Sequence, residues 1–112
     1  MMRRMTCCYV GFALLALAAC HTPSRGEVAL ERYGCGSCHV IPGVRMATGM
    51  VGPPLVWFGR RTVIAGEVPN STDELVQWIM NPQSIEPKTA MPNLGVSEQD
   101  ARDMAAYLSA LR

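Results

Sequence analysis

The sequence has no apolar run long enough for a comfortable membrane span, no internal repeat and no low-complexity tract. A transmembrane helix needs about 20 apolar residues, whereas the apolar run near the start covers only residues 7–19. Charge of one sign is not in excess either, since 10 basic residues balance 9 acidic ones. This balance argues against a nucleic-acid-binding protein and against a polybasic membrane patch.

The first residues have the pattern of a secretory signal peptide. Arg3 and Arg4 form a charged start, and the short apolar run follows them. The run ends in Leu17-Ala18-Ala19-Cys20, which resembles the lipobox of bacterial lipoproteins, where the cysteine is acylated and the signal is cut before it. An ordinary secretory site followed by a chance cysteine is one alternative, and a bare transmembrane anchor is another.

The chain therefore divides into three predicted parts. Residues 1–19 are a lipoprotein-type signal peptide, residues 20–24 are a lipid-anchored cysteine with a short tether, and residues 25–112 are the functional domain. We expect an exported protein on the periplasmic side of a bacterial membrane, anchored through Cys20.

Three segments have the capping residues and apolar spacing of helices. They cover residues 24–34, 71–81 and 97–111. Glycines and prolines interrupt the connection between the first two, and no segment alternates in the way a strand does. The pattern predicts an all-α, loop-rich domain with about three main helices. Its core is thin, and small domains of this kind often need a cofactor for stability.

The string Cys35-Gly36-Ser37-Cys38-His39 carries the chemistry. Two thiols three residues apart can form thioether bonds to one porphyrin, and the following histidine can bind its iron. A thioredoxin-like redox pair needs a strand–helix setting, and a plain disulfide leaves His39 unexplained. A zinc site needs a fourth ligand, yet the other histidine is His21 in the tether. We predict one covalently attached haem c, held by Cys35 and Cys38 with His39 as an axial ligand.

Methionines supply candidates for the second axial ligand. Most methionines in proteins are simply core residues, but Met91 lies in the loop Pro87-Lys88-Thr89-Ala90-Met91-Pro92, which its prolines stiffen. We predict Met91 as the sixth ligand. Two protein ligands leave no open iron position, an arrangement that suits electron transfer rather than catalysis.

The ordered motifs resemble those of class I cytochromes c, over about residues 25–112. Within that family the sequence is most similar to the cytochrome c domain fused to subunit II of bacterial haem–copper oxidases. The resemblance implies a class I cytochrome c fold, with long loops wrapped around one haem. The motifs that carry it are Gly34-Cys35-Gly36-Ser37-Cys38-His39, Val51-Gly52-Pro53-Pro54-Leu55, Ile64-Ala65-Gly66, Pro69-Asn70-Ser71, Leu75-Val76-Gln77-Trp78-Ile79, Asn81-Pro82, Met91-Pro92 and Ala106-Tyr107-Leu108.

The resemblance also implies roles on the histidine side of the haem. The Pro53 carbonyl accepts a hydrogen bond from the His39 nitrogen that does not bind iron, which fixes the tautomer. Leu55 packs on the haem face. The first and last helices cross, with Gly26 permitting their close approach and Tyr107 filling the contact.

Further roles concern the haem pocket. Trp78 is expected to line the pocket near Met91, although an aromatic can also be core filler. Arg60 or Arg61 is expected to pair with a haem propionate, because a guanidinium matches a carboxylate. Ordinary surface charge is the alternative for both arginines.

Together these features predict a single-electron carrier in a respiratory chain that delivers electrons to or within a terminal oxidase. Its partners are redox proteins and the membrane, with no nucleic acid and no small-molecule substrate, and it has no catalytic residues. One alternative is the cytochrome subunit of a periplasmic dehydrogenase complex. Another is a haem sensor or enzyme with a displaceable Met91, which carbon monoxide binding would reveal.

Overall fold

The computed structural model describes residues 20–112, so the predicted signal peptide lies outside the described residues. Within that range the helices are α1 (Arg25–Arg32), α2 (Thr72–Met80), α3 (Pro82–Ile85) and α4 (Glu98–Ser109). Two short strands, β1 (Val63–Ile64) and β2 (Val68–Pro69), pair antiparallel, with Val63 opposite Pro69. Over residues 20–112, no helix is both long and apolar enough to span a bilayer.

A serine caps each of the three helices predicted from the sequence. The side chains of Ser24, Ser71 and Ser97 accept hydrogen bonds from main-chain amides three residues later, at 3.2, 3.3 and 3.2 Å. Each bond satisfies an amide that the first helical turn leaves without a partner. The predicted starts of these helices are therefore confirmed.

The structure is compatible with the predicted all-α domain of about three main helices, and it adds two short elements that the sequence did not predict. Strands β1 and β2 form a small hairpin whose turn places Ala65 (φ +54°) and Gly66 (φ +70°) in the left-handed region. Positive φ at both central residues is the geometry of a tight hairpin turn. In addition, Pro82 ends α2 and also begins α3, because proline fits the first helical position, where its missing N–H has no consequence.

Helices α1 and α4 cross closely at Gly26. A Cβ atom at Gly26 would lie 2.7 Å from the Cβ of Tyr107 and would also collide with the Asp103 carbonyl. The predicted crossing is thereby confirmed. At the other end of α1, the Tyr33 hydroxyl donates to Asp100 at 2.7 Å, so the two helices run antiparallel.

The apolar core lies between these helices and α2. Its most completely buried side chains come from the inner faces of α2 and α4, and they include Leu75, Ala101, Met104 and Ala105. No buried polar or charged residue occurs among residues 20–112. The core therefore gives a rigid helical frame on which the loops of residues 34–61 and 86–96 are mounted.

Candidate functional site

The cysteine–histidine segment follows directly from the end of α1. Gly34 takes a left-handed conformation (φ +73°), which glycine adopts without steric cost, and ends the helix. Residues 35–37 then form a 3₁₀ turn, and the amides of Cys38 and His39 both donate to the Cys35 carbonyl, at 3.2 and 3.1 Å. Both thiols and the imidazole are thus presented by one tight turn.

Both cysteines of this turn are free thiols and half-buried, so the structure contains no disulfide between them. Burial raises the pKa of the Cys35 thiol above its ordinary value. The group therefore stays protonated at neutral pH. Two free thiols in one turn fit the chemistry of thioether formation.

The loop of residues 47–49 packs against the turn that contains Cys35 and Cys38. The Gly49 amide donates to the Gly36 carbonyl at 2.9 Å, and Val40 pairs with Thr48 in an isolated bridge. A Cβ at Gly36 would lie 2.6 Å from the Cα of Ala47, and one at Gly49 would collide with the main chain of Ser37. Sequence reasoning missed the role of these two glycines, because the close approach exists only once the loop has folded back.

The His39 imidazole has a defined setting. Its Nδ1 lies 2.7 Å from the Pro53 carbonyl oxygen. A carbonyl only accepts hydrogen bonds, so Nδ1 carries the hydrogen and Nε2 keeps a lone pair for a metal. Gly52 packs against the ring, since a Cβ there would lie 2.8 Å from Nδ1 and closer still to Cε1. The segment 52–53 is therefore shaped around this imidazole.

The residues that follow Pro53 divide between buried and exposed positions. Leu55 is buried, and its amide donates to the Val40 carbonyl at 2.8 Å. The Arg61 guanidinium donates to the Pro54 carbonyl and lies 5.2 Å from the centre of the Phe58 ring. The Arg60 side chain is exposed and makes no hydrogen bond or ion pair to the part of the chain described here.

The main chain of Met91 is held by two polar side chains. The Gln83 amide nitrogen donates to the Met91 carbonyl at 2.8 Å, and the Met91 amide donates to the Thr89 hydroxyl at 3.2 Å. Gln83 lies on α3, the helix that the sequence pattern did not predict, so its role was missed. The Met91 side chain itself is half-buried, as is Trp78 on α2.

The other methionines lie in different settings. Met46 and Met50 are 83% and 90% exposed, Met104 is fully buried in the core, and Met80 packs against the core from the end of α2. Met91 differs from these four methionines, because side chains form hydrogen bonds with both its main-chain amide and its main-chain carbonyl.

The arrangement of these side chains indicates a protein that binds haem covalently. Two free thiols and an imidazole in one turn, with Nε2 available, match the donor set that covalent haem attachment requires. The small helical frame with loops 34–61 and 86–96 is compatible with a cytochrome c domain.

Comparison with known proteins identifies the family. The family model described as Cytochrome c matches residues 24–112, and the chain belongs to this family. It is also similar to a cytochrome c oxidase subunit 2 of Alkalihalophilus pseudofirmus, at 36% identity over 90 residues, which cover 80% of this chain and 25% of the relative. A second relative, the cytochrome c oxidase subunit 2 of Bacillus subtilis, is 31% identical over 94 residues, covering 79% of this chain and 26% of the relative.

This membership confirms the predicted cofactor and general activity. The protein is an electron-transfer haem protein of class I cytochrome c type, related to oxidase subunit 2, and it binds haem c covalently through a sequence that contains Cys35 and Cys38. The chain spans about a quarter of the length of both relatives.

Proposed function

We propose that this protein carries single electrons in a respiratory chain, with His39 and Met91 as the two axial ligands of its haem iron. The observation that carries the proposal is the contact of His39 Nδ1 with the Pro53 carbonyl, which leaves Nε2 available. When bound, the haem iron supplies the one-electron exchange. The residues of the chain orient the imidazole and limit access to the iron.

The His39 setting supports a fixed ligand. A hydrogen bond from Nδ1 to a carbonyl fixes the tautomer and increases the basicity of Nε2. The amide of Gly52 donates to the Cys38 carbonyl at 2.7 Å, so the segment bearing Pro53 is tied to the turn bearing His39. The imidazole cannot rotate without breaking this arrangement.

The loop at Met91 supports the second ligand. A thioether is a weak ligand, so it binds well only when its main chain is already positioned. The hydrogen bonds from Gln83 and to Thr89 give that positioning. If His39 and Met91 both hold the haem iron, no position on the iron would be open to oxygen or a substrate, which suits electron transfer rather than catalysis.

Other residues contribute to the pocket in this proposal. Leu55 and Trp78 supply apolar surface to the haem, consistent with their buried and half-buried positions. Arg60 pairs with a haem propionate, because its guanidinium is not engaged within the described residues, whereas Arg61 is bonded to Pro54.

The cellular setting is also part of the proposal. Both relatives are named cytochrome c oxidase subunit 2, which supports a membrane respiratory complex as the partner and delivery of electrons to or within a terminal oxidase. Cys20 is exposed, as an acylated residue must be. The protein is exported and lipid-anchored on the periplasmic side, and the tether raises its effective concentration at membrane partners.

Absorption spectra of the holoprotein test the ligand assignment. The oxidised protein is expected to show the weak far-red band of iron–methionine bonding, and Met91→Ala is expected to abolish it. Met50→Ala, a change at an exposed methionine, is the matched control and keeps the band. If Met91→Ala keeps the band, or if the reduced wild-type protein binds carbon monoxide readily, the His39/Met91 assignment is wrong.

A further inference from the structure

An apolar groove lies between the 53–58 loop and the end of the chain. Its volume is about 370 Å³, and its lining residues are Pro42, Val56, Trp57, Ala110, Leu111 and Arg112. Trp57 is 62% exposed and Val56 37% exposed. A tryptophan gains much from burial and is amphipathic, so an exposed indole beside other apolar groups indicates a contact surface.

The groove lies at the same end of the domain as the tether. Because α1 and α4 are antiparallel, Gly26 at the start of α1 packs beside Tyr107 near the end of α4. The Tyr107 hydroxyl donates to the carbonyl of Pro42 at 2.5 Å, and Pro42 lines the groove. Tyr107 therefore lies between the start of α1, where the tether attaches, and the groove.

The chemistry of the groove fits a phospholipid surface. Apart from Arg112 its lining is apolar or aromatic, and it includes no acidic residue. Tryptophan is favoured at the membrane–water interface, and a guanidinium pairs well with phosphate. A second groove, between α1 and α4, is different because Arg25, Arg32, Asp100 and Asp103 line it.

We propose that the Trp57 groove docks the domain onto the phospholipid surface in which Cys20 is anchored. This inference rests on the lipid anchor of the proposed function. Four residues separate Cys20 from Arg25, which is about 14 Å of extended chain, so the anchored end of α1 stays close to the headgroups. Cys35 follows the opposite end of α1, about 12 Å along the helix. If Trp57 docks on the lipid, the turn that contains Cys35 and Cys38 therefore faces away from the lipid.

Photo-crosslinking in vesicles tests the docking. The holoprotein, purified from bacterial cells that express the full sequence, is placed in phosphatidylcholine–phosphatidylglycerol vesicles that contain a phospholipid with a photoreactive headgroup, and adducts are mapped by mass spectrometry. We expect adducts on residues 56–57 and 110–112 as well as on the tether, and none on the equally apolar segment 46–51.

Two matched variants isolate the indole. Trp57→Asn keeps the left-handed backbone (φ +52°) that asparagine tolerates, and it is expected to lower the groove adducts about threefold, because membrane binding scales with buried apolar area. Met46→Asn is the control, since Met46 is 83% exposed and has φ +57°. This control is expected to leave the adducts unchanged.

The outcomes separate the docking from the anchor. Adducts confined to the tether, or groove adducts that Trp57→Asn leaves unchanged, overturn the docking through Trp57. The mass of the Cys20 peptide is read in the same experiment. An unacylated Cys20 overturns the anchor in the proposed function, and the docking with it, whereas acylated Cys20 without groove adducts overturns the docking alone.

Discussion

His39 and Met91 lie in regions that are held in different ways. Three main-chain hydrogen bonds join segment 49–55 to segment 36–40, at 2.9, 2.7 and 2.8 Å, and glycines allow the two backbones to touch. The Met91 main chain instead depends on the side chains of Gln83 and Thr89. Main-chain hydrogen bonds thus hold the segment around His39, whereas two polar side chains, which a single substitution can remove, hold the main chain of Met91.

This difference suggests how the two iron ligands behave. A ligand fixed by main-chain bonds moves only if several bonds break together, whereas one side-chain bond opens locally at a cost of about 1 kcal/mol. We therefore expect the thioether of Met91 to dissociate much more readily than the imidazole of His39. Two substitutions test the comparison directly, and a third tests a smaller contribution to stability beside the cysteine turn.

The largest effect is expected from Gly52→Ala, which acts on the histidine side. The added methyl group would collide with the His39 ring, and the backbone there is tied to Cys38. We expect a loss of about 3 kcal/mol in the free energy of unfolding, measured by guanidinium denaturation of the holoprotein.

Gly95→Ala is the control for this substitution. It lies beyond Met91, where an added Cβ meets nothing within 4 Å, although φ is +68°. Its expected cost is about 1 kcal/mol, from the left-handed backbone alone. Equal costs for the two variants would show that the imidazole can move aside, and the comparison would not hold.

An intermediate effect is expected from Gln83→Ala, which acts on the methionine side. It removes the donor to the Met91 carbonyl, and a lost hydrogen bond of about 1 kcal/mol corresponds to a roughly fivefold rise in the population with Met91 dissociated. Carbon monoxide binding to the reduced protein measures this population. Gln77→Ala is the control, because the Gln77 side-chain amide donates to the Ser84 hydroxyl on the exposed side of α3. If the two variants bind carbon monoxide equally, Gln83 does not position Met91.

The smallest effect is expected from Tyr33→Phe, just before the cysteine turn. Hydrogen bonds from Tyr33, then from Ser97, together with the charge of Arg32, lower the pKa of Asp100 below its ordinary value. A carboxyl whose pKa is depressed by folding contributes stability above its unfolded pKa and loses it as pH falls through the folded value. The wild-type protein is therefore expected to be slightly more stable than Tyr33→Phe at neutral pH. The difference should begin to shrink as the pH falls below about 4 and should vanish only below the lowered pKa that Asp100 has in the folded protein. Denaturation curves across this range check the sign, and a difference that grew in acid would contradict it.

The sequence allowed the helical frame to be predicted because its signals are local. The serines at positions 24, 71 and 97 cap their own helices. The crossing at Gly26, which the structure contains, was expected from the resemblance to class I cytochromes c rather than from a local signal. The hairpin was not predicted, since strands of two residues are too short to show alternation. Helix α3 was missed because Pro82 was taken only as the end of α2.

The sequence alone determined the chemistry of this protein, because the cysteine pair and His39 are neighbours along the chain and their spacing brings the haem-binding atoms together within a single turn. Tertiary structure alone decided how these groups are supported. The contacts of Gly52 with His39, of Gln83 with Met91, and of Tyr107 with Pro42 join residues from separate segments. Such contacts depend on how the chain folds back on itself, which local sequence patterns do not encode.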